Sequence, residues 1–181
     1  MANRIIRIIV GIAIIAGILV GGYFILPGSV KWPLTQWYQT NFDENAKTVM
    51  EGVWSGTLPG HKGLDYKSCL ETACDSPGWH VEKVVVDDVG NGSYQVYADG
   101  YKCTITMPSE DNDAMKTLTN AHVQLIWNVQ KSGTTLTVGG KEIEAGKKVA
   151  PDTIKVAEET YGKDAAYYQK ALDALASYCG Q

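Results

Sequence analysis

The rhythm of hydrophobic and polar positions changes twice along the chain. From Ile8 to Leu26 there is no charged side chain and no polar face: IIVGIAIIAGILVGGYFIL. As a helix, these nineteen residues would span about 28 Å at ~1.5 Å per residue, close to the hydrocarbon thickness of a bilayer. The run exceeds the usual apolar core of a signal peptide, and Pro27-Gly28-Ser29-Val30 offers no small-x-small cleavage pattern. A core helix without a polar face would also be out of place in so small a domain. The pattern therefore predicts a short flank at 1–7 and a single transmembrane helix at 8–26.

Beyond that run the period becomes harder to read, and then becomes two. Pro27 and Gly28 predict an end or bend of the first helix near the lipid surface. Residues 27–54 read as a juxtamembrane segment, partly helical, with Leu34, Trp37, Tyr38, Val49 and Val53 on an apolar side and a polar break at 41–45. The stretch from Ser55 to Gly78 reads as an extended loop punctuated by Pro59-Gly60, Gly63 and Pro77-Gly78. Strands are then predicted at His80 to Val89, Ser93 to Ala98 and Tyr101 to Met107, with turns at Gly90-Asn91-Gly92 and Asp99-Gly100. Tyr101, Cys103, Ile105 and Met107 are expected on the inward side. Pro108 to Asn120 reads as a polar connection with a short helix near Ala114 to Leu118. The strand His122 to Gln130 follows, then a hairpin turning at Gly139-Gly140.

The last rhythm is helical. After Pro151 and Asp152, the residues Ile154, Ala157, Tyr161, Ala165, Tyr168, Leu172, Leu175 and Cys179 recur at three or four, the stripe of a helix laid on a sheet. The predicted fold is α+β: an N-terminal single transmembrane helix, then an antiparallel β-sheet of about five or six strands in meander and hairpin order, covered by a C-terminal helix. The extracytoplasmic domain is assigned to 55–181.

Charge sets the orientation. Arg4 and Arg7 are the only arginines, and both precede the apolar run, which places the N-terminus in the cytoplasm and the domain in the periplasm or outside the cell. The chain carries a formal net charge of −4, so without those two residues the remainder stands at −6. An acidic domain without arginine does not suit phosphate or nucleic acid, and nucleic acid is excluded as a partner.

The four cysteines, Cys69, Cys74, Cys103 and Cys179, all follow the apolar run, on the side of the membrane where disulfides persist. The favoured pairing is Cys69–Cys74, closing the CLETAC loop, with Cys103–Cys179. The set His61, Cys69, Cys74, His80 has the spacing H-x7-C-x4-C-x5-H, which departs from zinc-finger patterns. No metal, cofactor or catalytic residue is assigned, and the chain is read as a non-enzyme. Gly52-Val53-Trp54-Ser55-Gly56 is not a nucleophile elbow, and His122 falls opposite its apolar neighbours, as a surface side chain.

Contact surfaces are the remaining signal. Ala13, Gly17 and Gly21 recur at four and line one side of the first helix, a small-residue face suited to self-association or to a partner helix. Tyr23, Phe24, Trp32, Trp37 and Tyr38 form an interfacial belt facing the lipid bilayer. Trp54 and Trp127 are assigned to the core, and Tyr97, opposite Tyr94 and Val96, is the candidate partner contact. The run IVGIAIIAGILVGGYFILP resembles the hydrophobic N-terminal helix of type IV pilins and pseudopilins. That resemblance implies a loop, an antiparallel sheet, a disulfide near the C-terminus and assembly into a filament. The leading expectation is a membrane-anchored structural or interaction subunit of a cell-envelope assembly. A pilin-like filament subunit and an anchored ligand-binding module or enzyme are the alternatives.

Overall fold

A computed structural model describes residues 21–22, 25, 34–35, 37–39, 41–54, 65–86, 92–109, 114–143 and 149–179. The chain divides into two units, Met1–Trp37 and Tyr38–Gln181. In the first, the described residues Gly21, Gly22, Ile25, Leu34, Thr35 and Trp37 have helical backbone. Among the described residues no helix is long and apolar enough to cross a membrane; most of the predicted span 8–26 lies outside them.

The second unit is α+β. Helix α1 (Glu44–Trp54) starts where the polar break was read, because Asp43 caps it: its Oδ1 accepts from the amides of Asn45 and Ala46, at 3.1 and 3.0 Å. Ala46, Val49, Met50 and Val53, at i, i+3, i+4 and i+7, are buried. Residues assigned from sequence to a juxtamembrane segment thus form part of this unit's core.

Helix α2 (Tyr66–Ala73) lies inside the stretch read as loop. Asp65 caps it, accepting from the Ser68 amide at 2.7 Å. Tyr66, Cys69, Leu70 and Ala73 are its buried stripe. The breakers Pro59-Gly60 and Gly63 all precede Tyr66, so nothing opposes helix within YKSCLETA.

Seven strands make one antiparallel sheet among the described residues: β1 (Cys74–Val86), β2 (Gly92–Pro108), β3 (Met115–Ser132), β4 (Thr135–Val138), β5 (Lys141–Glu142), β6 (Thr153–Val156) and β7 (Glu159–Gly162). Their order is β1-β2-β3-β4-β5, with β6 also paired to β3, and β7 to β6. Pro77 falls within β1, the sheet's edge, where a missing ladder donor is tolerated.

Three sequence readings are corrected here. Asp99-Gly100 is not a turn; β2 passes straight through it, and the irregularity comes just afterwards. The register shifts between Gly100 and Cys103, where β2 carries one extra residue, and again between Cys103 and Ile105, where β3 does. Lys102 and Asn120 take left-handed backbone there, with φ of 53° and 60°. One extra residue exchanges the two faces of a strand. That is why Cys103, Ile105 and Met107 are fully buried as expected while Tyr101 is 47% exposed.

The polar stretch Met115 to Asn120 is strand, with no helix, and continues β3 beside the end of β2. Thr106 and Thr117 face each other there, their hydroxyls 2.8 Å apart. Finally, the apolar stripe after Pro151 is not one helix. The β-branched TIKV pairs with β3, Ala157 turns the chain at φ 53°, and β7 returns. Only Tyr168–Cys179 is helical (α3). Ile154, Val156 and Tyr161 are buried by strand alternation, whereas Tyr168, Leu172 and Leu175 are buried by helix periodicity.

All three helices pack against β2, and α2 also against α3. Tyr94, Val96, Ala98, Val123, Leu125, Trp127 and Val129 form the sheet side of this core. Trp127 is fully buried as expected; it meets Tyr66 edge to face, ring centroids 5.0 Å apart, and donates to the Val149 carbonyl at 3.1 Å.

Cys74 is bonded to Cys103, not to Cys69. They are register partners on β1 and β2, with Cα atoms 3.8 Å apart. The α2–β1 junction puts Cys69 on a helix and Cys74 on a strand, so the short CLETAC loop never forms. Cys69 is itself disulfide-bonded. Cys103 is already taken, so Cys103–Cys179 is excluded too.

Candidate functional site

The sheet face turned away from the helices gathers the chain's polar aromatic chemistry. Strand alternation puts Gln95, Tyr97, Asp99 and Tyr101 of β2 on this side, opposite the buried Tyr94, Val96 and Ala98. From β3 it adds His122, Gln124, Ile126 and Asn128. The register sets Asp99 across from Gln124, Tyr97 across from Ile126 and Gln95 across from Asn128.

At one end lies the densest cluster. Asp99 is 2% exposed, an unusual place for a carboxylate unless it is paired. Its Oδ1 accepts from His122 Nε2 at 2.7 Å and from Gln124 Nε2 at 3.0 Å. The contact uses Nε2 of the imidazole, and Asp99 Oδ1 joins His122 and Gln124 in one network. The His122 side chain is 44% exposed. Tyr101 precedes the bulge at Lys102 and so shares the face of Asp99; its ring stacks on His122, with centroids 4.6 Å apart and planes 1° from parallel. Partial burial pushes the Tyr101 phenol up, and the charge of Asp99 adds to it. Tyr101 therefore stays a neutral hydroxyl across the physiological range.

A second polar row crosses the sheet further along. Tyr97 donates to Gln95 Oε1 and Gln95 Nε2 to Asn128 Oδ1, both at 2.8 Å. The Asn128 backbone N–H donates to Asp152 Oδ2 at 2.8 Å, and Lys163 Nζ reaches Asp152 Oδ1 at 3.1 Å. Here Asn128, Asp152, Thr153 and Lys163 line an open concavity of about 420 Å³. Both Asp152 oxygens are engaged by the protein, so the pair acts as a clamp between β3 and the turn after β7. A neighbouring hollow of about 270 Å³ shares Lys163 and is lined by Val138, Ile143 and Val149.

The residues singled out from sequence are dispersed. Tyr97 lies on the outer face but is half-buried, its hydroxyl engaged by Gln95. Trp37 and Tyr38 are exposed and helical. Gly21 is helical, and a Cβ there would meet nothing within 4 Å. Ala13, Gly17, Tyr23, Phe24 and Trp32 lie outside the described residues. Asp99 escaped sequence reasoning because Asp-Gly is a strong turn signal. The clue was available in its phase, since Asp99 and His122 both fall on the polar side of their strands. Among the described residues no group of three His, Cys, Asp or Glu is placed to hold a metal ion.

Comparison with protein-family models, with curated proteins and with solved structures finds no match. The fold and the outer face thus define a class by architecture alone: an α+β domain whose antiparallel sheet has its helices on one side and a polar, aromatic-bearing surface on the other.

Proposed function

We propose that this chain is a non-catalytic, membrane-tethered interaction subunit of a cell-envelope assembly. In this reading residues 8–26 hold it to the bilayer, and the outer sheet face receives another protein. The observation that carries the reading is the Tyr101–His122 stack standing exposed over a buried carboxylate, on the side of the sheet that bears no helix among the described residues. Aromatic side chains oriented by a fixed hydrogen-bond network lose little freedom when a partner docks, and such groups dominate interface energetics. The apolar run, with Arg4 and Arg7 before it, supports the tether and its orientation.

The test is photo-crosslinking in native membranes, with p-benzoylphenylalanine in place of Tyr101 in the full chain. A discrete heteromeric adduct, lost when Asp99→Asn loosens the stack, is the expected result. Free monomer at every cross-linker position on the outer face would overturn the reading. A second reading, a small-ligand module, draws on His122: its imidazole is held by Asp99 through Nε2 while the side chain stays 44% exposed. Chemical-shift perturbation of His122 by a small solute, without any protein adduct, would favour it.

A further inference from the structure

The start of the compact unit presents two exposed aromatic rings. Tyr38 and Phe42, one helical turn apart, are 56% and 62% exposed. Their rings stack on each other, centroids 5.9 Å apart. Trp127, Tyr66 and Tyr161 are fully buried, whereas Tyr38 and Phe42 stand, stacked, among the exposed large side chains of this acidic domain. Gln39 between them turns inward and is buried, so this turn has a defined inner and outer side.

Chain length limits what can meet that outer side. Tyr38 follows Leu26, the end of the apolar run, by twelve positions. Even fully extended, those positions reach only about 40 Å, and as helix about 18 Å. The headgroup layer on each side of the hydrocarbon is about 5–8 Å deep. A straight helix would carry Tyr38 beyond that layer. A chain that turns at Pro27-Gly28 or Pro33 would lay the pair along it, and those are the residues that break or bend a helix. Tyrosine and phenylalanine suit this depth, where an apolar ring and a polar edge are both satisfied.

We infer that Tyr38 and Phe42 form a lipid-docking surface that seats the compact unit against the headgroup region of the bilayer. The inference rests on the proposed tether, and the two are separable by experiment. The full chain is placed in phosphatidylcholine–phosphatidylglycerol nanodiscs with p-benzoylphenylalanine replacing Phe42, Leu19 or Tyr101 in turn, and irradiated products are weighed. Lipid adducts at 42 and 19 but not at 101, with the adduct at 42 reduced by Tyr38→Ser, are expected. An adduct at 19 without one at 42 overturns the docking surface and leaves the tether standing. No adduct at 19 removes the tether; a lipid adduct at 42 would then still support docking, and its absence would overturn both. A protein adduct at 42 in native membranes, in place of lipid, also overturns the inference.

Discussion

Gly100 sits against the Cys74–Cys103 disulfide so closely that its missing side chain is a structural requirement. A Cβ built there would stand 2.5 Å from Cys74 Sγ, 3.1 Å from Cys103 Sγ and 3.2 Å from Cys74 Cβ. Neither sulfur is the loose end of a flexible side chain; both are tied to strands and buried. Gly100→Ala therefore overpacks the junction, at a cost of about 1–3 kcal/mol. At roughly 3 °C per kcal/mol for a unit of this size, the melting temperature should fall by about 3–9 °C. The Cys74→Ala/Cys103→Ala background separates this clash from a general intolerance of alanine. Removing the bond opens a loop with a sequence separation of 29 and costs roughly 3–4 kcal/mol by the chain-entropy model. It also removes both sulfurs. In a strand interior alanine is otherwise better than glycine by about 0.5–1 kcal/mol, so in that background Gly100→Ala should be near neutral or stabilising. Near-ultraviolet circular dichroism of the full chain during thermal unfolding reads all four corners of the cycle. An equal loss in both backgrounds would refute the packing argument, because the sulfurs would then have no part in it.

Four further outcomes follow from the same geometry. Asp99→Asn keeps the shape but weakens acceptance from His122 and Gln124; a stability loss of about 1–3 kcal/mol is expected, read by urea unfolding, and His122→Asn should add little on top of it. Ala157→Gly relieves a left-handed φ of 53° and should stabilise by about 0.5–1 kcal/mol after the backbone-entropy cost, seen as a raised denaturant midpoint. Non-reducing peptide mapping should recover Cys74 joined to Cys103; since the sequence then offers Cys69 one other cysteine, the second bridge is expected at Cys69–Cys179. Burial, with the charge of Asp152 adding, pushes the Tyr168 phenol up to about 12 from its ordinary 10, and burial raises Tyr66 as well. A raised pKa means that the folded state holds its proton where the unfolded state has lost it. Stability is therefore intact below pH 10 and falls as pH rises from 10 toward 12, by about 1.4 kcal/mol per unit for each group. Tyr168→Phe should flatten that fall, and an unchanged alkaline midpoint would count against it.

What the sequence made legible was pattern, and what it hid was context. The β-branched runs and the Gly139-Gly140 turn were readable because period two and left-handed glycines, here at φ 56° and 72°, are local properties. Trp127 was placed in the core because a small domain depends on burying its aromatic rings. The pairing of Cys74 with Cys103 was not local, since it depends on which residue of β2 lies across from β1. Asp99-Gly100 was misread for the same reason: a dipeptide that favours a turn in isolation is held straight when strands on both sides, β1 and β3, pair with it. The final stripe after Pro151 fitted helix spacing by coincidence, because Ile154 and Tyr161 are seven apart, a separation that two hairpin strands joined by a turn can also bury. His122 was recognised as a surface residue, yet its meaning rests on a carboxylate 23 positions away.

The order of the elements also has a consequence for the timing of folding. The hairpin β2–β3 joins neighbours in sequence and can form as soon as both strands exist. The apolar side of that hairpin is closed in part by α3, which follows both strands in the chain and whose Tyr178 hydroxyl donates to Thr106 at 2.8 Å across 72 positions. Until α3 arrives, the part of β2 that it packs against is uncovered. A nascent chain that has not yet reached α3 thus holds a formed hairpin with part of its apolar side still open to solvent.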